Sequence, residues 1–353
     1  MKLFSHLLPY LLLVSFSAGP MNGFGLSKLE AVNRTPYDGV AIRLTGQYDT
    51  ARHSMEDFDG PVKLFRRRSR KQVWPWLFFN RFLGSRAGDK NHSPLSGAPA
   101  FRRIRGMDIY NKDGALGDFF ERMGMALSIA RSLGSPGIVI DPEFYNDYEF
   151  EDIRVLAGRI GRPEAEVERG LEAIGARMCD IANQKYPGCT IWFLATGLTR
   201  TRRAPAGGRQ YMRSFTYIVQ GLLERAKSTR SGIILVSGGE ITVGYCPQNI
   251  QDLREHIRRR QMDYAPLLKA YPNLQLGGTA APWMSRREKT GWMRLRKCGT
   301  SKIAGIEEFE PLVKELMASY RYVWVYSAWA GGYDPFKDVA SAFPAGARGR
   351  IGN

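Results

Sequence analysis

The stretch Gly137-Ile138-Val139-Ile140-Asp141-Pro142-Glu143-Phe144-Tyr145 runs from apolar and β-branched positions straight into two acids separated by a proline. Side chains alternate along a strand, so Val139, Asp141 and Glu143 share one face and Ile138 and Ile140 take the other. Two carboxylates at the end of a buried strand can divide acid–base work, one protonating a leaving group while another acts as base or nucleophile. A third acid, Glu240, follows Gly238-Gly239 at the end of another apolar run, Ile233-Ile234-Leu235-Val236. The competing reading makes Asp141 a helix cap, leaves Glu143 solvated and gives Glu240 a capping or salt-bridging role.

Other strand ends supply Asn80 and Arg81, Thr196, Thr279 and Trp283, and Ser327 and Trp329, with Tyr326 closing the last strand. The set is poor in nucleophiles and histidine and rich in carboxylates, aromatics and small polar groups. Sugar chemistry needs that mixture, because aromatic faces pack against sugar C–H surfaces while carboxylates work on the glycosidic bond. Asn80 and Arg81 are candidate hydrogen-bonding partners for a substrate, and Trp283, Tyr326 and Trp329 candidate surfaces for its rings. His53, His92 and His256 are isolated, and no cysteine pair has metal-binding spacing, so no metal or cofactor is expected.

These residues sit on a repeating framework. Leu116, Phe119, Phe120, Met123, Leu127, Ala130 and Leu133 recur at three and four, which predicts an amphipathic helix before the central strand. Val167, Leu171, Ile174, Met178 and Ile181 predict a second, with Pro163 in its first turn. Strand Thr190 to Leu194 follows, then a helix over roughly 209–227, strand Ile233 to Val236, a helix over roughly 248–270, strand Leu274 to Leu276, a helix near 306–320 and strand Tyr322 to Ser327. Earlier strands are read at Gly39 to Leu44, at Val73 to Arg81 and within Phe101 to Tyr110, with loops over 46–61 and 84–100.

Alternation of this kind implies a parallel sheet with right-handed crossovers. Eight strands at these spacings predict one α/β domain, a (β/α)8 TIM barrel over residues 38–335, with an irregular segment at 20–37 and a tail at 336–353. An open doubly wound sheet would need a glycine-rich phosphate turn after its first strand, and Thr45-Gly46-Gln47-Tyr48 is not one.

Lys2, the apolar run from Leu7 to Phe16 and the small residues Ser15-Phe16-Ser17-Ala18-Gly19 have the charge–apolar–small order of a signal peptide over residues 1–19. A secreted or periplasmic protein is expected, with an uncleaved anchor as the alternative. No later stretch is apolar enough for a transmembrane segment. Export permits disulfides, and Cys179 with Cys189, and Cys246 with Cys298, are left open between bridges and free thiols. The net charge of +17 argues for a polyanionic neighbour. If Arg200, Arg202 and Arg203, which follow a strand end, line the cleft, the substrate is an acidic glycan; if these and the other basic clusters, Arg258 to Arg260 among them, lie on outer helices, they reflect only envelope association or an alkaline pI. With no nucleic-acid motif present, a nucleic-acid partner is not expected. The run Arg66-Arg67-Arg68-Ser69-Arg70-Lys71 reads as a solvated face.

Two resemblances extend this reading. Residues 137–145 resemble the fourth-strand motif of family 18 glycosidases, which ends Asp-x-Glu-Tyr; Asp141 and Glu143 match its last two acids, Phe144 replaces the tyrosine, and the earlier aspartates are absent. Over roughly 38–330 the chain is similar to secreted bacterial barrel proteins described as glycoside hydrolases, through Asp141-Pro142-Glu143, Gly238-Gly239-Glu240 and Tyr322 to Tyr326. The resemblance implies a polysaccharide- or oligosaccharide-cleaving enzyme with Glu143 as general acid and Glu240 as nucleophile or base. If the substrate carries an N-acetyl group, it implies instead that the acetamide attacks, oriented by Asp141. A non-catalytic carbohydrate-binding barrel of the cell envelope is the alternative.

Overall fold

The computed structural model describes residues 11–16, 20–34, 37–45, 51–79, 115–142, 153–198, 213–240, 247, 249–280 and 309–325. Eight strands close a barrel in chain order: β1 Leu11–Phe16, β2 Gly39–Arg43, β3 Gln72–Phe78, β4 Gly137–Asp141, β5 Thr190–Phe193, β6 Ile234–Ser237, β7 Leu274–Ala280 and β8 Tyr322–Val325. Every neighbouring pair is parallel, including β1 with β8. Between the strands run α1 Leu26–Asn33, α2 Asp59–Arg68, α3 Ala115–Ser132, α4 Ile153–Ile160, α5 Glu164–Lys185, α6 Arg213–Ser228, α7 Ile250–Ala270 and α8 Phe309–Ser319. The chain is a (β/α)8 barrel, as its alternating pattern implies.

The strands are apolar on both faces because each face is covered, inward by the other strands and outward by helices. Inward positions form one cluster that includes Leu13, Ala41, Val139, Val236 and four tryptophans, Trp74, Trp76, Trp192 and Trp324. The rings meet edge to face: Trp76 and Trp324 have centroids 5.5 Å apart, and Trp74 and Trp192 6.0 Å apart. Outward positions such as Val40, Ile140, Ile191 and Leu235 join the helix stripes in a second cluster. The two stripes read from the sequence behave as expected. Leu116, Phe119, Met123, Leu127 and Ala130 on α3 are buried, and so are Val167, Leu171, Ile174, Met178 and Ile181 on α5, which Pro163 precedes as N-cap.

The strand count is met differently from the sequence expectation. Leu11–Phe16, inside the stretch read as a leader, is a barrel strand, so Gly39–Arg43 is the second strand and the barrel includes residues before position 38. β1 is stapled at its start: Leu11 N donates to Arg321 O at 2.9 Å, Leu12 N to Asp38 Oδ2 at 2.8 Å, and Asp38 N to Leu12 O at 3.0 Å. The physical reason for the difference is that a run such as Leu11-Leu12-Leu13-Val14 satisfies a leader and a doubly buried strand equally well. Eight strands are complete without residues 101–110, which lie outside the described residues. The segment expected to be irregular, 20–37, holds α1, and the loop expected over 46–61 ends in a 3₁₀ turn and the start of α2.

Candidate active site

In a parallel barrel all strand C-termini open on one mouth. Asp141 is the last residue of β4 and pairs in register with Phe78 of β3, an inward residue, so its carboxyl is aimed into the barrel. It is 2% exposed. On β2, Arg43 pairs with inward Trp76, and its guanidinium lies 5.1 Å from the Trp76 ring centroid and 5.0 Å from that of Phe78. A cation over two aromatic faces is held electrostatically by the ring quadrupoles. Thr279 pairs with inward Trp324 and is fully buried.

Glu240 follows β6 and is 1% exposed. The chain ahead of it is fixed from three sides. Gly238 N donates to Phe193 O at 2.7 Å, Glu240 N donates to Leu194 O at 3.0 Å, and Thr279 Oγ1 donates to Gly238 O at 3.0 Å. Between these bonds Gly239 turns the backbone with φ of +72°, a left-handed conformation that costs a residue with a Cβ about 1–2 kcal/mol.

A buried guanidinium secures the same turn from outside the barrel. Arg260 of α7 donates from Nη1 to Gly277 O and from Nη2 to Ser237 O, each at 2.5 Å, and Nη2 lies 3.1 Å from Ser237 Oγ. Its guanidinium is flanked by the Tyr264 and Tyr320 rings at 5.4 and 5.5 Å. Among the described residues no carboxylate is in ion-pair range of it. Among the described residues, two peptide carbonyls and two ring faces hold the cation. Ser237 Oγ, Thr196 Oγ1 and Tyr264 OH form a hydroxyl triangle beside it, with separations of 2.8, 3.0 and 3.2 Å. Burial raises the Tyr320 hydroxyl above its usual range, and the Arg260 charge opposes that rise.

Of the acids read from the sequence, Asp141 and Glu240 are both buried at the barrel mouth. Glu143, Asn80, Arg81, Trp283, Tyr326 and Trp329 lie outside the described residues, as do Arg200, Arg202 and Arg203. Thr196 and Thr279 stand at their strand ends as expected, and each ties one strand end to β6. Sequence reasoning missed Arg260 and Arg122. Arg122 of α3 is buried and holds the segment after β2, donating to Thr45 Oγ1 at 2.8 Å and Ala51 O at 2.7 Å. Arg260 was legible, since Leu253, Ile257, Arg260 and Tyr264 follow helical spacing and are the buried residues of α7. Among the described residues no group of three or more His, Cys, Asp and Glu side chains is placed to hold a metal.

No family model and no curated protein matches the chain. Solved structures similar to it include 3-keto-D-glucoside 4-epimerase from E. coli, 12% identical over 95% of this chain and 97% of that one, with a TM-score of 0.42. A glycoside hydrolase family 5 enzyme from Prevotella bryantii is 8% identical over 95% and 94%, with a TM-score of 0.48. Endonuclease IV from Thermus thermophilus is 10% identical over 94% and 95%, with a TM-score of 0.44. At these values the likenesses carry no argument about activity, and the barrel rests on its own strand pairing.

Proposed function

We propose that the protein cleaves a glycosidic bond by a two-carboxylate mechanism, with Glu143 as general acid, Glu240 as nucleophile or base and Asp141 as the inward carboxyl beside Glu143 in sequence. The observation that carries this reading is the pair of buried acids, Asp141 and Glu240, on one barrel mouth at the ends of β4 and β6. The C-terminal strand ends of such a barrel are where its chemistry is carried out. A neighbouring like charge, as Asp141 would be for Glu143, favours the protonated form that a general acid needs. The proposed substrate is a polysaccharide or oligosaccharide, and the net charge of +17 favours an acidic one.

The test is a panel of neutral and acidic glycans assayed with the wild type and with Asp141→Asn, Glu143→Gln and Glu240→Gln, folding being checked by circular dichroism. Loss of a general acid should lower the rate by about 10²–10⁴-fold. A folded Glu143→Gln with full activity overturns the assignment. A wild type that binds members of the panel and cleaves none is a carbohydrate-binding barrel instead.

A further inference from the structure

The barrel topology sorts charge to opposite ends. Each helix that returns the chain to the next strand ends at the face where strands begin, opposite the mouth that holds Asp141 and Glu240. At that face α2 ends in Arg66, Arg67 and Arg68, α3 in Arg131, α5 in Lys185 and α7 in Lys269. All six are exposed, and no described carboxylate is in ion-pair range of any of them. First turns of the same helices, at the mouth side, carry Asp59, Asp118, Glu164 with Glu166, and Asp252.

The helix macrodipole accounts for one cation at a helix C-terminus. It gives no reason for three consecutive exposed arginines followed by exposed Arg70. Carboxylates near this end are largely engaged: Asp180 pairs with Arg225 at 2.8 Å, Glu224 accepts from the Tyr271 hydroxyl, and Asp38 accepts from Leu12 N. Glu30 on α1 is an exposed exception. Among the described residues the face therefore presents a predominantly cationic rim, spread over several helices.

We propose that this face docks on an anionic phospholipid surface and leaves the mouth open to solvent. The spread of the cations selects the partner. They stand on separate helices around the barrel, so a linear polyanion crossing the face meets only those on its path, while a charged plane meets the whole rim at once. Guanidinium forks match phosphate oxygens, and successive cations near such a surface act together. Among the described residues the exposed large apolar side chains are Leu26 at the start of α1, Met55 ahead of α2 and Met262 in the mid-portion of α7, none of them in the last turns that form this rim. No described helix is long and apolar enough to cross a membrane. The attachment is therefore electrostatic and reversible.

The test uses the full chain with vesicles of phosphatidylcholine, alone or with phosphatidylglycerol added. Sedimentation at low salt should occur only with phosphatidylglycerol and be lost at about 1 M salt, where the screening length is about 3 Å. Arg66→Glu with Arg67→Glu should weaken binding about tenfold or more. Arg258→Glu with Arg259→Glu makes the same change in net charge on the mid-portion of α7, away from the rim, and should leave binding within about twofold. Equal loss in the two variants shows response to net charge alone and overturns docking by this face. Absence of vesicle binding at low salt, with or without binding to duplex DNA, overturns the lipid surface as the partner.

Discussion

Arg260 fills the space that a side chain at Gly239 would need: a Cβ built there stands 2.4 Å from Arg260 Nη1. The bare glycine and the buried guanidinium define one another. The left-handed turn brings Glu240 to the mouth, and Arg260 braces that turn through the Ser237 and Gly277 carbonyls.

Gly239→Ala should therefore destabilise the protein by about 2–4 kcal/mol, combining left-handed strain of about 1–2 kcal/mol with the clash. In an Arg260→Ala background the same change should cost clearly less, because the clash is gone. Urea unfolding of the four proteins gives the coupling energy. Additive effects would show that the two positions do not share this space.

Neighbouring arginines on α7 should behave unlike one another. Arg258 is exposed and pairs with Glu255 at 2.8 Å, so Arg258→Met should cost about 0–1 kcal/mol. Arg260→Met strips donors from two buried carbonyls and should cost about 2–4 kcal/mol, even though it removes a buried charge. Denaturation midpoints compare the two directly.

A chain beginning at Pro20 should fail to close the barrel. Without Leu11–Phe16, β2 and β8 each lose a partner strand and present open edges that favour aggregation. Size-exclusion chromatography and urea unfolding check this, and a monomeric, cooperatively folding product would show β1 to be dispensable. The mass of the protein isolated from its source shows whether the residues read as a leader stay attached.

Cys179 and Cys189 are buried free thiols, and burial pushes them up to about 11 and about 12. Thiolate is the reactive form, so iodoacetamide at about pH 8 should leave both unmodified until the protein is unfolded. Peptide mass mapping checks it, and a disulfide between them would appear as resistance to alkylation even when unfolded. Tyr271 is likewise raised to about 12, chiefly by burial and then by its bond to Glu224. In each case the unfolded group loses its proton first, at its ordinary value. Stability from these groups is thus full below about pH 9 and falls progressively as pH rises to about 12. Urea midpoints measured across that range should decline.

Sequence carried the barrel from residue 115 onward, because α3 and α5 have unbroken apolar stripes and each strand is an apolar run bounded by turn residues. It failed at Leu11–Phe16, where composition serves two structures equally, and at α1, where polar and small residues interrupt the apolar period. For the site, Asp141 could be aimed by alternation alone. Arg260 was hidden by company, since Arg258-Arg259-Arg260 reads as one exposed basic cluster. Only counting back from Tyr264 puts the third arginine on the buried stripe.

Closure of β1 between β2 and β8 sets a waiting time. Strand β1 is made more than three hundred residues before its partner Tyr322–Val325. At about 5–20 residues per second that interval is on the order of 15–60 s. Throughout it, Leu11–Phe16 can pair with β2 on one edge only, and its apolar side chains have no completed interior to enter. A nascent chain therefore carries a sticky segment for the whole of that interval. Whatever binds such segments first, chaperone or export machinery, competes with the ring's own last strand for the same six residues.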